Sequence, residues 1–160
     1  MYKFTIWLDA DSFPAQARSF LADYTLSKEV SVNFVANHEI KFSALNINMI
    51  ICEKASNAAD DYIVEHCGEN DIILTRDIPF AARLVEKNIT VMNDRGVIFN
   101  KDNIEDKLRE REFSLNMAQI GLGGGKGNYY GDKELKKFST VFAEELQKHI
   151  IAYIYTIKKR

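Results

Sequence analysis

Five short apolar runs, at residues 4–8, 30–36, 49–51, 72–75 and 89–92, punctuate this chain, and segments with apolar residues at helical spacing separate most of them. That alternation constrains the fold more than any other feature. Consecutive parallel strands need a crossover, and right-handed crossovers lay helices on both faces of the sheet. The run Phe4-Thr5-Ile6-Trp7-Leu8 is apolar over almost its whole length, as a central strand covered on both faces requires. Ala17, Phe20, Leu21 and Tyr24 follow at helical spacing. Further helices are expected at residues 57–67, 79–86 and 103–117, and from Asp132 onward. Residues 37–46 carry mixed signals and read as irregular with a short helical turn. Residues 97–99 read as one more short strand. The expected class is α/β, a mainly parallel central sheet with helices on both faces.

The chain has 160 residues, enough for one domain with a substantial core. Residues 1–149 are read as that domain and residues 150–160 as an apolar and basic extension. The apolar, β-branched stretch at 150–157 suits either a continued helix or an extra strand. Cys52 and Cys67 form no paired metal motif and read as reduced thiols, and His38, His66 and His149 lack zinc-ligand spacing. No signal-peptide core and no apolar stretch of about 20 residues is present, so no membrane partner is expected and the cytoplasm is the default location. The net charge of −2 gives no global attraction to nucleic acid.

Acids sit where these strands stop. The first run leads into Asp9-Ala10-Asp11, and Ile72-Ile73-Leu74 leads into Thr75-Arg76-Asp77. Between them, Asn57-Ala58-Ala59-Asp60-Asp61 opens a helix. Taken singly, each acid has an ordinary explanation as a turn residue or a helix cap, because a carboxylate favours a helix N-terminus. Taken together they fall on one edge of a parallel sheet, outside the carboxyl ends of the strands where ligands bind. Two unit charges about 4 Å apart repel by roughly 4 kcal/mol at an effective dielectric of about 20. Either some carboxylates take up protons or a divalent cation neutralises them. Magnesium or manganese held by Asp9, Asp11, Asp60, Asp61 and Asp77 would suit phosphoryl chemistry. Ser12 and Thr75 are the hydroxyls nearest these acids. Arg76, Arg83 and Arg95 are candidate phosphate contacts, Arg95 standing in the turn Asn93-Asp94-Arg95-Gly96.

The stretch Gly121-Leu122-Gly123-Gly124-Gly125-Lys126-Gly127 is not a P-loop, since no strand precedes it and Gly127 stands where Ser or Thr is needed. It reads as a loop. As a contact to nucleic acid it would bring Tyr129 and Tyr130 to stack on bases, with Lys126, Lys133, Lys136 and Lys137 toward the backbone.

Several motifs in combination resemble the YaiI/YqxD family of uncharacterised bacterial proteins. They are Asp9-Ala10-Asp11 with Pro14, Val35-Ala36-Asn37, Ala58-Ala59-Asp60-Asp61, Thr75-Arg76-Asp77-Ile78-Pro79 and Asn93-Asp94-Arg95-Gly96. The chain departs from the family pattern at Asn57, where a further aspartate is frequent, and at Ser12-Phe13. Its glycine loop lacks prolines, and the tail after His149 is additional. The family is similar in turn to PIN-like domains, a Rossmannoid three-layer sandwich, many of which are metal-dependent ribonucleases. That resemblance implies a site built from Asp9, from Asp60 or Asp61, and from Asp77, with Asp94 as a fourth metal candidate. Asp9, Asp61 and Asp77 are then the expected catalytic acids. Ser12, Thr75, Arg76, Asn93, Arg95 and Lys126 are the expected substrate contacts.

The resulting expectation is a magnesium- or manganese-dependent nuclease acting on RNA, with a homodimer open through the apolar tail. Two other readings compete with it. One is a non-enzymatic RNA- or protein-binding module of the same fold. The other is a phosphatase of the haloacid dehalogenase type, suggested by Asp9-Ala10-Asp11 after an apolar strand. That type needs its later acidic pair after the Thr or Ser strand, and here Asp60-Asp61 comes before Thr75.

Overall fold

A computed structural model describes residues 2–123 and 129–160. Six strands form one sheet: β1 (Ile6–Asp9), β2 (Val32–Ala36), β3 (Ile47–Ile51), β4 (Ile72–Leu74), β5 (Thr90–Met92) and β6 (Ile98–Phe99). Their spatial order is β3-β2-β1-β4-β5-β6. Every neighbouring pair is parallel except β5 and β6, which run antiparallel with Val91 opposite Phe99. The helices are α1 (Ala15–Ser27), α2 (Ala58–His66), α3 (Ile78–Val85), α4 (Ile104–Gln119) and α5 (Asp132–Lys158). Residues 37–46 form bends and a turn, without the helical turn expected there. The tail continues α5 rather than adding a strand.

Side chains alternate across a strand, so β1 divides its residues between two cores. Ile6 and Leu8 face α1 and α5, where they join Leu21, Phe138 and Phe142. Trp7 faces the other way, with Ile63, Phe80 and Leu84 of α2 and α3. All four β1 residues are buried, which explains why the three residues before Asp9 in this strand are all apolar. Full burial of such a side chain is worth about 1.5–3 kcal/mol, so the two faces hold the central strands in register.

The turn between β5 and β6 depends on Asn93. Its Oδ1 accepts 2.9 Å hydrogen bonds from the N–H groups of Arg95 and Val97. Gly96 completes the reversal at φ 74°, and a Cβ there would lie 2.9 Å from the Lys137 carbonyl oxygen. Left-handed backbone and close approach to α5 both demand glycine at this point.

Candidate functional site

The strand order changes direction at β1, so the loops after β1 and β4 part and leave a crevice between them. A cleft of about 230 Å³ opens there, lined by Asp9, Asp11, Ser12, Asn37, Asn57, Ala59, Asp60 and Asp77. A larger cavity of about 440 Å³ lies elsewhere, lined by Phe4, His149 and Tyr153 among others, and holds Glu145 as its one carboxylate. The smaller cleft is therefore the chemically distinctive one.

Asp9 is the last residue of β1 and is buried. Its Oδ2 accepts a 2.8 Å hydrogen bond from the Thr75 hydroxyl. The Thr75 oxygen in turn accepts from the Asp77 N–H at 3.0 Å. One hydroxyl thus ties the ends of β1 and β4 together. Burial raises the Asp9 carboxyl above its ordinary range; the Thr75 and Ser12 hydroxyls pull it down, and Asp11 and Asp77 add to the rise. Asp77 caps α3, its Oδ1 accepting from the Phe80 N–H at 3.0 Å. Pro79 fits this first turn because it lacks the N–H that would otherwise need a partner.

Asp60 lies in the first turn of α2 and is 8% exposed. Among the described residues its carboxyl takes part in no hydrogen bond. Burial, then Asp9 and Asp77, push it up to about 7, against a weaker opposing effect of Arg83. Asp61, one residue on, turns outward. Its side chain is 56% exposed and pairs with Arg83 at 3.0 Å. Asp11 lines the rim, 2.8 Å from His38 Nδ1, and accepts from the Asn37 N–H at 2.8 Å.

Asp94, Arg76 and Arg95 lie outside the cleft lining, and Ser12, at the cleft, joins Arg76 to Asp9. Asp94 is buried and lies outside the cleft lining. Arg76 Nε stands 3.3 Å from Asp94 Oδ2, an ion-pair distance whose geometry makes no hydrogen bond. Burial raises the Asp94 carboxyl and Arg76 opposes the rise. Ser12 Oγ donates to the Asp9 carbonyl at 3.1 Å and accepts from the Arg76 N–H at 3.3 Å. Arg95 donates to the Tyr129 carbonyl at 2.7 Å and lies 3.8 Å from Glu134. Tyr130 is drawn into the structure, donating its hydroxyl proton to the Asp94 carbonyl at 2.7 Å, while Tyr129 remains exposed. Lys126 lies outside the described residues.

Four of the six candidate metal ligands, Asp9, Asp11, Asp60 and Asp77, therefore line one cleft, and Asp61 and Asp94 do not. Among the described residues, no three His, Cys, Asp or Glu side chains form a group able to hold a metal ion. A closed three-carboxylate cage does not fit these positions. Attachment through one or two carboxylates does fit, because magnesium keeps several waters and needs few protein ligands. The donors are hard oxygens, and Asp60, buried without a hydrogen bond beside two other acids, is the group a cation would relieve.

Sequence reasoning overlooked Asn37, Asn57 and His38 at this rim. Asn37 follows β2, the neighbour of β1, so the strand end itself was the available signal. Asn57 adopts φ 64°, a conformation Asn tolerates better than most residues. Asp71 was also missed. It is buried and fully engaged, accepting 2.8 Å hydrogen bonds from Thr5 N–H, Gly68 N–H and the Trp7 indole. That acid is a staple between the starts of β1 and β4.

No helix among the described residues is long and apolar enough to cross a membrane. The family model described as "Uncharacterized BCR, YaiI/YqxD family" matches residues 7–148. A UPF0178 protein of Treponema denticola is 41% identical over 143 residues, covering 89% of this chain and 92% of that protein. A UPF0178 protein of Psychromonas ingrahamii is 35% identical over 146 residues, covering 90% and 96%. Another from Pseudoalteromonas atlantica is 36% identical over 135 residues, covering 84% and 92%. No solved structure matches. With most of its length matched and its motifs in place, the chain belongs to the YaiI/YqxD family of uncharacterised bacterial proteins.

Proposed function

We propose that this chain is a divalent-metal-dependent phosphodiesterase of PIN-like, Rossmannoid type that hydrolyses RNA. One observation carries the reading: Asp9, Asp11, Asp60 and Asp77 line a single cleft at the carboxyl ends of β1 and β4. Asp9 and Asp60 are the residues that would hold magnesium or manganese, with Asp77 beside them in the same cleft. The bound ion supplies charge neutralisation at the phosphate and lowers the pKa of a water nucleophile. Thr75 holds one oxygen of the Asp9 carboxylate at the cleft. Asp77 lends one oxygen to its helix cap and keeps the other to orient a water. Arg76, outside the cleft lining but bonded to Ser12 through its N–H, is the candidate contact to a non-bridging phosphate oxygen.

The experiment is hydrolysis of end-labelled RNA with manganese by the wild type, Asp9→Asn and Asp77→Asn. Cleavage by the wild type and a loss of at least about a hundredfold in both variants is expected, since each removes charge at the reacting centre. Equal cleavage by all three would end the proposal.

Among the described residues no three acids stand close enough together to hold one ion, which favours one other reading, a module that binds RNA or a protein without chemistry. RNA binding that is indifferent to manganese and to Asp9→Asn would select it.

A further inference from the structure

Ile150 is the last buried residue of α5, and beyond it Tyr153 packs edge-on against Tyr2 with ring centroids 5.5 Å apart, leaving the face that carries Ile151 and Tyr155 uncovered. None of residues 151–160 is buried, yet the helix continues to Lys158. The sequence Ile151-Ala152-Tyr153-Ile154-Tyr155-Thr156-Ile157 is rich in β-branched and aromatic residues, which are poor helix formers. The roughly two turns from Ile151 to Lys158 therefore gain little stability from their own sequence and rely on what packs against them. Ile151 and Tyr155 are 54% and 64% exposed and lie one turn apart. They line a shallow hollow of about 470 Å³ with Lys148, Ala152, Thr156 and Lys159.

We infer that this face docks against the same face of a second copy of the chain, as an antiparallel helix pair about a two-fold axis. The arrangement of charge points to that partner. Glu144, exposed, precedes the apolar centre, and Lys159 follows it, with no acid between residues 146 and 160. An axis between Ile151 and Ala152 brings Glu144 opposite the partner subunit's Lys159, and Lys148 opposite the partner subunit's Tyr155. Ala152 leaves room for the helices to approach at the crossing. Glu144 of each copy meets the acid-free C-terminal stretch of the other, so one contact is made twice, as an isologous interface requires. The paired segment, 16 residues from Glu144 to Lys159, is about 24 Å long. One helix face of that length buries an area at the low end for specific association, so the dimer is weak and concentration-dependent.

Sedimentation velocity on the full chain from about 5 to 500 μM reads the association directly. A monomer–dimer equilibrium is expected for the wild type. Ile151→Glu should weaken it by at least about tenfold, because it buries a charge against an apolar centre. Glu144→Lys and Lys159→Glu should each weaken it by about fivefold, since symmetry repeats the like-charge contact twice. The double variant Glu144→Lys/Lys159→Glu should return to within about twofold of the wild type, the restored pairs being equivalent. All three positions are exposed, and an unchanged helical circular dichroism signal verifies folding. A monomer throughout the range overturns the inference. So does a dimer that ignores Ile151→Glu, or one that the double variant fails to restore.

Discussion

Asp60→Asn removes one carboxylate from a cleft holding three others, and the protein should become more stable for it. In the folded chain Asp60 is pushed up to about 7, from an ordinary value of 3.8. The unfolded chain releases this proton near pH 4 and the folded chain holds it until about pH 7. Stability from this group is therefore greatest at low pH, falls as pH rises through that window, and is fully lost above it. A rise of about three pH units corresponds to about 4 kcal/mol. Water in the open cleft screens part of it, so about 2 kcal/mol is the working expectation. Asparagine keeps the shape and carries no charge, so Asp60→Asn should gain little near pH 4.5 and about 2 kcal/mol at pH 8 without metal. Urea unfolding followed by Trp7 fluorescence, in a chelator, measures both. Manganese should then reverse the order, stabilising the wild type by mass action more than the variant. Parallel loss of stability in the two proteins between pH 4.5 and 8 would refute the reasoning.

Asp71→Ala should destabilise the fold by about 3–5 kcal/mol, because three donors lose a charged acceptor and the Trp7 indole is left unpaired. The same fluorescence-detected unfolding reads it. Thr75→Val removes the hydroxyl that lowers the Asp9 carboxyl, so manganese binding should move to higher pH, with a larger loss of affinity at pH 6 than at pH 8 in calorimetric titration. Gly96→Ala should cost about 2–3 kcal/mol, since it adds a left-handed alanine to a 2.9 Å contact with the Lys137 carbonyl. Thermal unfolding checks that.

The sheet and most helices were legible because β1, β2 and β4 are buried runs and α1, α3 and α5 bury apolar residues at helical spacing, whereas α4 buries only Ile104 and leaves Leu115 exposed. Asp9 and Asp77 were legible because strand ends gather at one edge of a parallel sheet. The choice between Asp60 and Asp61 was not. Successive helical positions point about 100° apart, so one enters the cleft while its neighbour meets Arg83, and only packing decides which. The pairing of Asp94 with Arg76 was hidden for a related reason, since it joins the loops after two adjacent strands and depends on where an arginine side chain turns. Asp71 had a signal that passed unread. A tryptophan on a fully covered strand needs an acceptor for its indole N–H. The tail was undecidable from its own sequence because β-branched residues suit a strand as well as a helix whose support comes from elsewhere.

The two flanks of the sheet differ in what they offer to another chain. At one, the backbone doubles back through the Asn93 and Gly96 turn into a strand of two residues, Ile98 and Phe99. So short a ladder gives an incoming segment almost nothing to bond with. At the other, β3 presents five residues, of which Asn48 and Ile51 are exposed. Accidental strand-to-strand sticking during folding would begin at β3, and a lysine in place of Ile51 is the simplest way to blunt it.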